Sequence, residues 1–160
     1  MSTAPISKIL APVDLSVLAA DAVADARAVE PARPIELVAP APATVVGDEP
    51  LLRQIVGNLV ANARVHTAAD VPIRVLVRDE RSAVVLEVAD QGPGMEADVA
   101  AHAFERFYRA DPARTRSQGG SGLGLAIVAS TVAAHRGTVA LDTAPGRGTT
   151  VRVTLPRPTA

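Results

Sequence analysis

A chain of 160 residues, 48% of them apolar, is long enough for one domain with a real core. Its 16 basic and 17 acidic residues leave a formal charge of −1, which excludes a bulk electrostatic pull toward nucleic acid or an anionic membrane, so any bound anion must be held locally. With no cysteine and three histidines, disulfide frameworks and thiolate metal sites are excluded, and no run approaches the roughly 20 apolar residues of a membrane-spanning helix; the expectation is a soluble, cytoplasmic domain.

Residues 1–12 read as an N-terminal linker, 13–156 as one domain and 157–160 as a tail. Asp14 is placed to cap a helix running to about Val29, with Leu15, Leu18, Ala19, Ala22 and Ala26 on one face. The proline-rich stretch from Pro31 to Pro42 reads as a loop broken by a short strand at Ile35 to Val38. A second helix is expected from about Pro50 to Val65. On it Gln54, Asn58 and Asn62 recur every four residues, a polar stripe beside Leu52, Ile55, Val56 and Leu59. Asparagine carbonyls suit Mg2+, a hard ion that takes oxygen ligands and commonly shares nucleotide phosphates. The same stripe also reads as ordinary helix surface.

Ile73 to Arg78 and Val84 to Ala89 read as an antiparallel hairpin turning at Asp79 to Ser82. The hairpin runs into Asp90-Gln91-Gly92-Pro93-Gly94. A carboxylate fixed at a strand end can accept an amino proton from a purine, while Gly92 and Gly94 let backbone approach a ligand; as a bare turn the pattern is common. Residues 93–122, with a short helical piece near Ala97 to Phe104, read as a mobile functional loop. All three aromatics of the chain fall there, in Phe104-Glu105-Arg106-Phe107-Tyr108-Arg109, where they can pin the loop as a small satellite core. Gly119-Gly120-Ser121-Gly122-Leu123-Gly124-Leu125 then enters a helix directly, and free amides at the positive end of a helix dipole form a phosphate site. That helix runs to His135, with Gly137 as the expected cap. Thr138 to Leu141 and Thr150 to Leu155 read as the last strands, joined by the turn Gly146-Arg147-Gly148-Thr149. The order predicts a two-layer α/β sandwich, a mixed sheet of about five strands covered on one face by about three helices.

Taken in order, NLVAN (Asn58 to Asn62), DQGPG (Asp90 to Gly94), FERFYR (Phe104 to Arg109), GGSGLGL (Gly119 to Leu125) and GRGT (Gly146 to Thr149) resemble the N, G1, F, G2 and G3 boxes of sensor histidine kinases. The resemblance covers roughly residues 45–155 and implies the Bergerat fold, ATP and Mg2+ as cofactors, and protein histidine kinase activity. It implies that Asn62 ligates Mg2+ with help from Asn58, that Gln54 has a supporting role, and that Asp90 bonds the adenine amino group in a pocket shaped by Gly92 and Gly94. His66 would border the base, Thr149 would support Asp90 through its hydroxyl, and Arg109 would approach the terminal phosphate. Gly120, Gly122, Leu123 and Gly124 would form the hinge and phosphate contacts of a lid anchored by Phe104 and Phe107.

The chain departs from that pattern at one place: the family carries Lys or Arg three residues after the second asparagine and an aromatic next, whereas Val65 and His66 stand here, with Arg64 one position early. None of His66, His102 and His135 is followed by an acidic residue, as the phosphoacceptor should be. The resemblance therefore implies partners: a histidine-bearing dimerisation domain, in the same parent protein or on a separate chain, and a response regulator downstream, with no nucleic acid and no direct membrane contact. Two other readings stay open, an anti-sigma-type serine kinase of the same fold and a non-enzymatic docking module that binds nucleotide weakly.

Overall fold

The computed structural model describes residues 10–105 and 124–158. Their elements are β1 (Ala11–Asp14), α1 (Leu15–Val29), β2 (Ile35–Val38), β3 (Thr44–Gly47), α2 (Glu49–Val65), β4 (Ile73–Asp79), β5 (Ala83–Asp90), α3 (Ala97–Ala101), α4 (Gly124–Ala134), β6 (Thr138–Thr143) and β7 (Thr149–Pro156). The first two helices begin where a carboxylate can accept free amides. Asp14 accepts from the Ser16 N–H at 3.0 Å and also from the Ala43 N–H at 2.9 Å, and Asp48 accepts from the Leu51 N–H at 3.2 Å. No helix among the described residues is long and apolar enough to cross a membrane.

Five strands form one sheet in the order β2-β4-β5-β7-β6, with β2 and β4 parallel and every other neighbour antiparallel. The sheet is mixed, as expected. Alternation along β4 and β7 sends Ile73, Val75, Val77, Val151, Val153 and Leu155 to one face, where they pack with Leu18, Leu52, Ile55, Leu59 and Val132 from α1, α2 and α4. The opposite face is solvated and paired in charge: Glu36 meets Arg74 at 3.1 Å, and Glu87 meets Arg152 at 3.0 Å and Arg78 at 3.3 Å. Such exposed pairs add little stability.

A separate two-stranded ribbon, β1 with β3, lies outside the sequence expectation. Each strand has four residues and each lies close to a proline, so neither is long enough for alternation to register. The end of α4 also differs from expectation. The left-handed residue is Arg136, with φ of 62°, followed by a Gly137 N–H bonded to the Val132 carbonyl at 2.9 Å and an Arg136 N–H bonded to Ala133 at 3.0 Å. Gly137 is glycine for a different reason: a Cβ there would overlap the Thr154 carbonyl oxygen on β7.

His135 links two helices. Its Nδ1 donates to the Thr131 carbonyl at 2.8 Å and its Nε2 accepts the Asp48 N–H at 3.1 Å, which joins the end of α4 to the start of α2. Gly47 leaves room for the ring, since a Cβ at that position would stand 2.8 Å from Cδ2 of His135. The two residues at the end of α4 should respond oppositely to substitution. Arg136→Gly removes a left-handed strain of roughly 1–2 kcal/mol and should raise the thermal midpoint, whereas Gly137→Ala forces a backbone overlap and should lower it by about 1–3 kcal/mol in stability. Differential scanning calorimetry of both variants checks this; equal shifts in one direction would contradict the assignment.

Candidate functional site

Asp90 is the last residue of β5, in register with Ile73 on β4 and Thr149 on β7. Its carboxylate accepts the Gly92 N–H at 2.9 Å and is also bonded by the Thr149 backbone N–H. Burial of the carboxylate raises its pKa above the ordinary range, against the opposing pull of those two donors and of the nearby His66 and Arg33 charges. The structure thus brings Asp90, Gly92, Thr149 and His66 together at one end of the sheet.

The hydroxyl of Thr149 is used elsewhere. It lies 3.0 Å from the Thr143 hydroxyl, which donates to the Gly148 carbonyl at 2.9 Å and accepts the Met95 N–H at 3.0 Å. Thr149 therefore contacts Asp90 through its backbone, and Thr143 knots the loop after Asp90 to the β6–β7 turn. The glycines make that contact possible. Gly94 and Gly148 have φ of 73° and 72°, and a Cβ would overlap the Ala144 carbonyl at the first and the Asp90 carbonyl at the second. At Gly92 a Cβ would lie 2.7 Å from the Thr67 methyl.

On α2, burial of Leu52, Ile55, Val56, Leu59, Val60 and Ala63 turns Gln54, Asn58 and Asn62 away from the core. Asn58 and Asn62 are half-buried, Gln54 is exposed, and neither asparagine side chain bonds a described residue. Two uncommitted amide carbonyls one turn apart are a donor set that fits an oxygen-seeking Mg2+. Arg64, one position before the place where the family pattern has its basic residue, is committed to Glu30 at 2.7 Å. His66 closes α2, its N–H on the Asn62 carbonyl at 3.1 Å, and its side chain is exposed. Gly124 opens α4, and Phe104 packs partly buried against the core. Phe107, Arg109, Gly120, Gly122 and Leu123 lie outside the described residues. Sequence reasoning passed over Thr143, Thr67 and Arg33, which belong to no motif; inward alternation along β6 is the one signal that could have marked Thr143.

Known proteins share both the sequence pattern and the fold. Residues 47–159 match the family described as histidine kinase-, DNA gyrase B-, and HSP90-like ATPases. The chain is 45% identical over 136 residues to the probable sensor histidine kinase TcrY of Mycobacterium tuberculosis, covering 84% of this chain and 29% of that protein. Among solved structures, the mycobacterial sensor histidine kinase MprB superposes with a TM-score of 0.80 at 30% identity, covering 94% of this chain and 100% of that one. Full-length ShkA in complex with AMPPNP gives 0.79 at 33% identity, covering 98% of this chain and 33% of the other. The chain spans under a third of the length of the curated relatives first matched, at 29%, 31% and 29%.

The raised pKa of Asp90 has a defined consequence for stability. Between the ordinary carboxylate value of 3.8 and the higher folded value, the native domain holds a proton that the unfolded chain has lost. Stability from that proton is complete below 3.8 and disappears as pH rises through the folded value. The unfolding free energy of the parent relative to Asp90→Asn should accordingly fall across this window in urea titrations at stepped pH. A difference that stays level or rises would mean that the carboxylate is not desolvated.

Proposed function

Because the chain belongs to the histidine kinase-, DNA gyrase B- and HSP90-like ATPase family, we propose that it is the catalytic domain of a two-component sensor histidine kinase, binding Mg·ATP and delivering the γ-phosphoryl group to a histidine on a separate dimerisation domain. The observation that carries this reading is the Asp90 carboxylate, half-buried at the end of β5 and bedded on backbone donors from Gly92 and Thr149. That carboxylate accepts a hydrogen bond from the adenine amino group, where guanine would present a carbonyl oxygen and be repelled. Asn62 and Asn58 offer neutral oxygens, which hold a cation without repelling a triphosphate. When bound, Mg2+ gathers the phosphate oxygens and neutralises their charge.

Within the same reading, Gln54 assists the asparagines, His66 borders the base, and Arg109 approaches the terminal phosphate. Gly120, Gly122, Leu123 and Gly124 present backbone to the phosphates. A lone pair on the acceptor imidazole forms the new N–P bond as the bond to the ADP oxygen breaks, and the phosphoryl group then passes to an aspartate on a response regulator. The dependence on ATP assigns the domain to the cytoplasm.

Calorimetric titration of Mg·ATP and Mg·GTP into the purified chain tests the proposal. The parent should bind ATP saturably and prefer it to GTP. Asn62→Ala should weaken Mg·ATP binding by about tenfold or more, the loss of one charge-assisted contact, with the fold retained because alanine is favoured in helices. Asp90→Asn should abolish the preference for adenine. A parent chain that binds neither nucleotide would overturn the proposal in favour of a docking module, and variants that bind like the parent would overturn the residue assignments.

A further inference from the structure

Arg33 stands in the loop between α1 and β2, outside every motif, and its side chain is only 1% exposed. From Nη1 it donates to the Thr67 hydroxyl at 2.8 Å and to the carbonyls of Ala68 at 2.6 Å and Val71 at 2.9 Å. From Nη2 it donates to the Arg64 carbonyl at 2.9 Å and to the Glu30 carboxylate at 3.3 Å. Four of these five acceptors lie between residues 64 and 71, the segment that carries the chain from the end of α2 to β4. A buried guanidinium needs acceptors, and the irregular segment supplies them in its carbonyls, so the side chain and the segment hold each other. Only Nε lacks a partner. Glu30, which also takes Arg64 at 2.7 Å, balances the charge.

The segment so held touches the candidate site. The Thr67 hydroxyl accepts from Arg33 and donates to the Ala63 carbonyl at 2.7 Å, which fixes its rotamer. Its methyl then points at Gly92, close enough that a Cβ there would stand 2.7 Å away. Gly92 in turn donates to Asp90 at 2.9 Å. Two further bonds tie the same corner, from the Ile73 N–H to the Pro34 carbonyl at 2.9 Å and from the Gln91 N–H to Pro72 at 3.3 Å.

We propose that Arg33 is a positioning residue for purine recognition: by holding Thr67 against Gly92 it sets the spacing between the end of α2 and Asp90, and so the width of the slot that receives the base. This inference rests on the function proposed above. A lysine cannot substitute, because a single ammonium on a flexible stem lacks the planar fan of donors that reaches several acceptors at once.

The test is a double-mutant cycle of Arg33→Lys and Thr67→Val, read by calorimetric affinity for Mg·ATP and Mg·GTP, with thermal midpoints and amide spectra alongside. Each folded single variant should lose about tenfold in ATP affinity, the scale expected when a site is held slightly out of place. The loss for GTP should be smaller, so the preference for ATP narrows. The amide resonances of Gln91 and Gly92 should move in both variants, and the double variant should lose no more than the worse single, because both changes cut one chain of contacts. Should Arg33→Lys fail to fold, Thr67→Val alone gives the reading, since it removes one hydroxyl and keeps the shape. A lowered midpoint with an unchanged ATP-to-GTP ratio would reduce Arg33 to a structural role and overturn the proposal. So would losses that simply add. A parent chain that does not bind ATP removes the function proposed above and this role with it, whereas a binding parent with unaltered variants removes this role alone.

Discussion

The end of β5 has no room for side chains, and the rest of the site is arranged around that shortage. Gly148 lies against the Asp90 carbonyl, Gly94 against Ala144, and Gly92 against Thr67, each so near that a single added carbon collides. Two of the three hold left-handed backbone, which costs glycine little and other residues roughly 1–2 kcal/mol. Close approach lets backbone N–H groups from Gly92 and Thr149 reach one carboxylate. A half-buried aspartate survives there because those donors replace part of the water it lost. Crowding and charge are thus one constraint: a wider corner would hydrate Asp90 and remove the cause of its raised pKa.

That constraint divides the molecule into a rigid frame and a recognition edge. The frame is a mixed sheet with three helices on one face, its core among the described residues formed by Val, Leu, Ile and Ala, with Phe104 partly buried at its margin. Branched aliphatics at the period of two and at helical spacing suffice for such packing. The edge is where polar groups gather: Asp90 on β5, Thr143 on β6, Thr149 on β7, and Asn58 and Asn62 on α2. Arg33 couples the edge to the frame from behind, and its cost of burial is offset by the carbonyls of Arg64, Ala68 and Val71 that it bonds.

Much of this was legible in the residues. All five strands of the main sheet and the three long helices follow from periodicity and caps, because each presents a repeated face to one core. Gly92 and Gly94 were expected to let backbone approach a ligand, whereas within the fold they lie against Thr67 and Ala144; and nothing in Gly-Arg-Gly-Thr, read as a tight turn, says that its second glycine rests on the Asp90 carbonyl. The short strands β1 and β3 escaped because four residues carry too few alternations. Arg136 escaped because arginine is not expected in left-handed backbone, and the neighbouring glycine offered a more familiar cap. The Thr149 hydroxyl was expected on Asp90, but a strand register decides such details, and register is a long-range property. Arg33 was invisible for the same reason, since its acceptors between α2 and β4 lie more than 30 residues away.

The histidines show how geometry sharpens what sequence left open. A phosphoryl acceptor needs an imidazole nitrogen with a free lone pair that can stand in line with the γ-phosphorus. His135 has none to offer: Nδ1 carries the proton that bonds Thr131, and the Nε2 lone pair holds the Asp48 N–H. Releasing it would break the tie between the end of α4 and the start of α2. His66 sits beside Asp90, which on the proposed function is the adenine end of the nucleotide, a triphosphate's length away from the reacting atom. His102 ends the short helix α3 and pairs with Glu105, a carboxylate on its own side of the loop. Each imidazole is thus spoken for by an interaction or misplaced for in-line transfer. On the proposed function the domain holds the phosphoryl donor, and the acceptor histidine is one that another segment or chain presents to it.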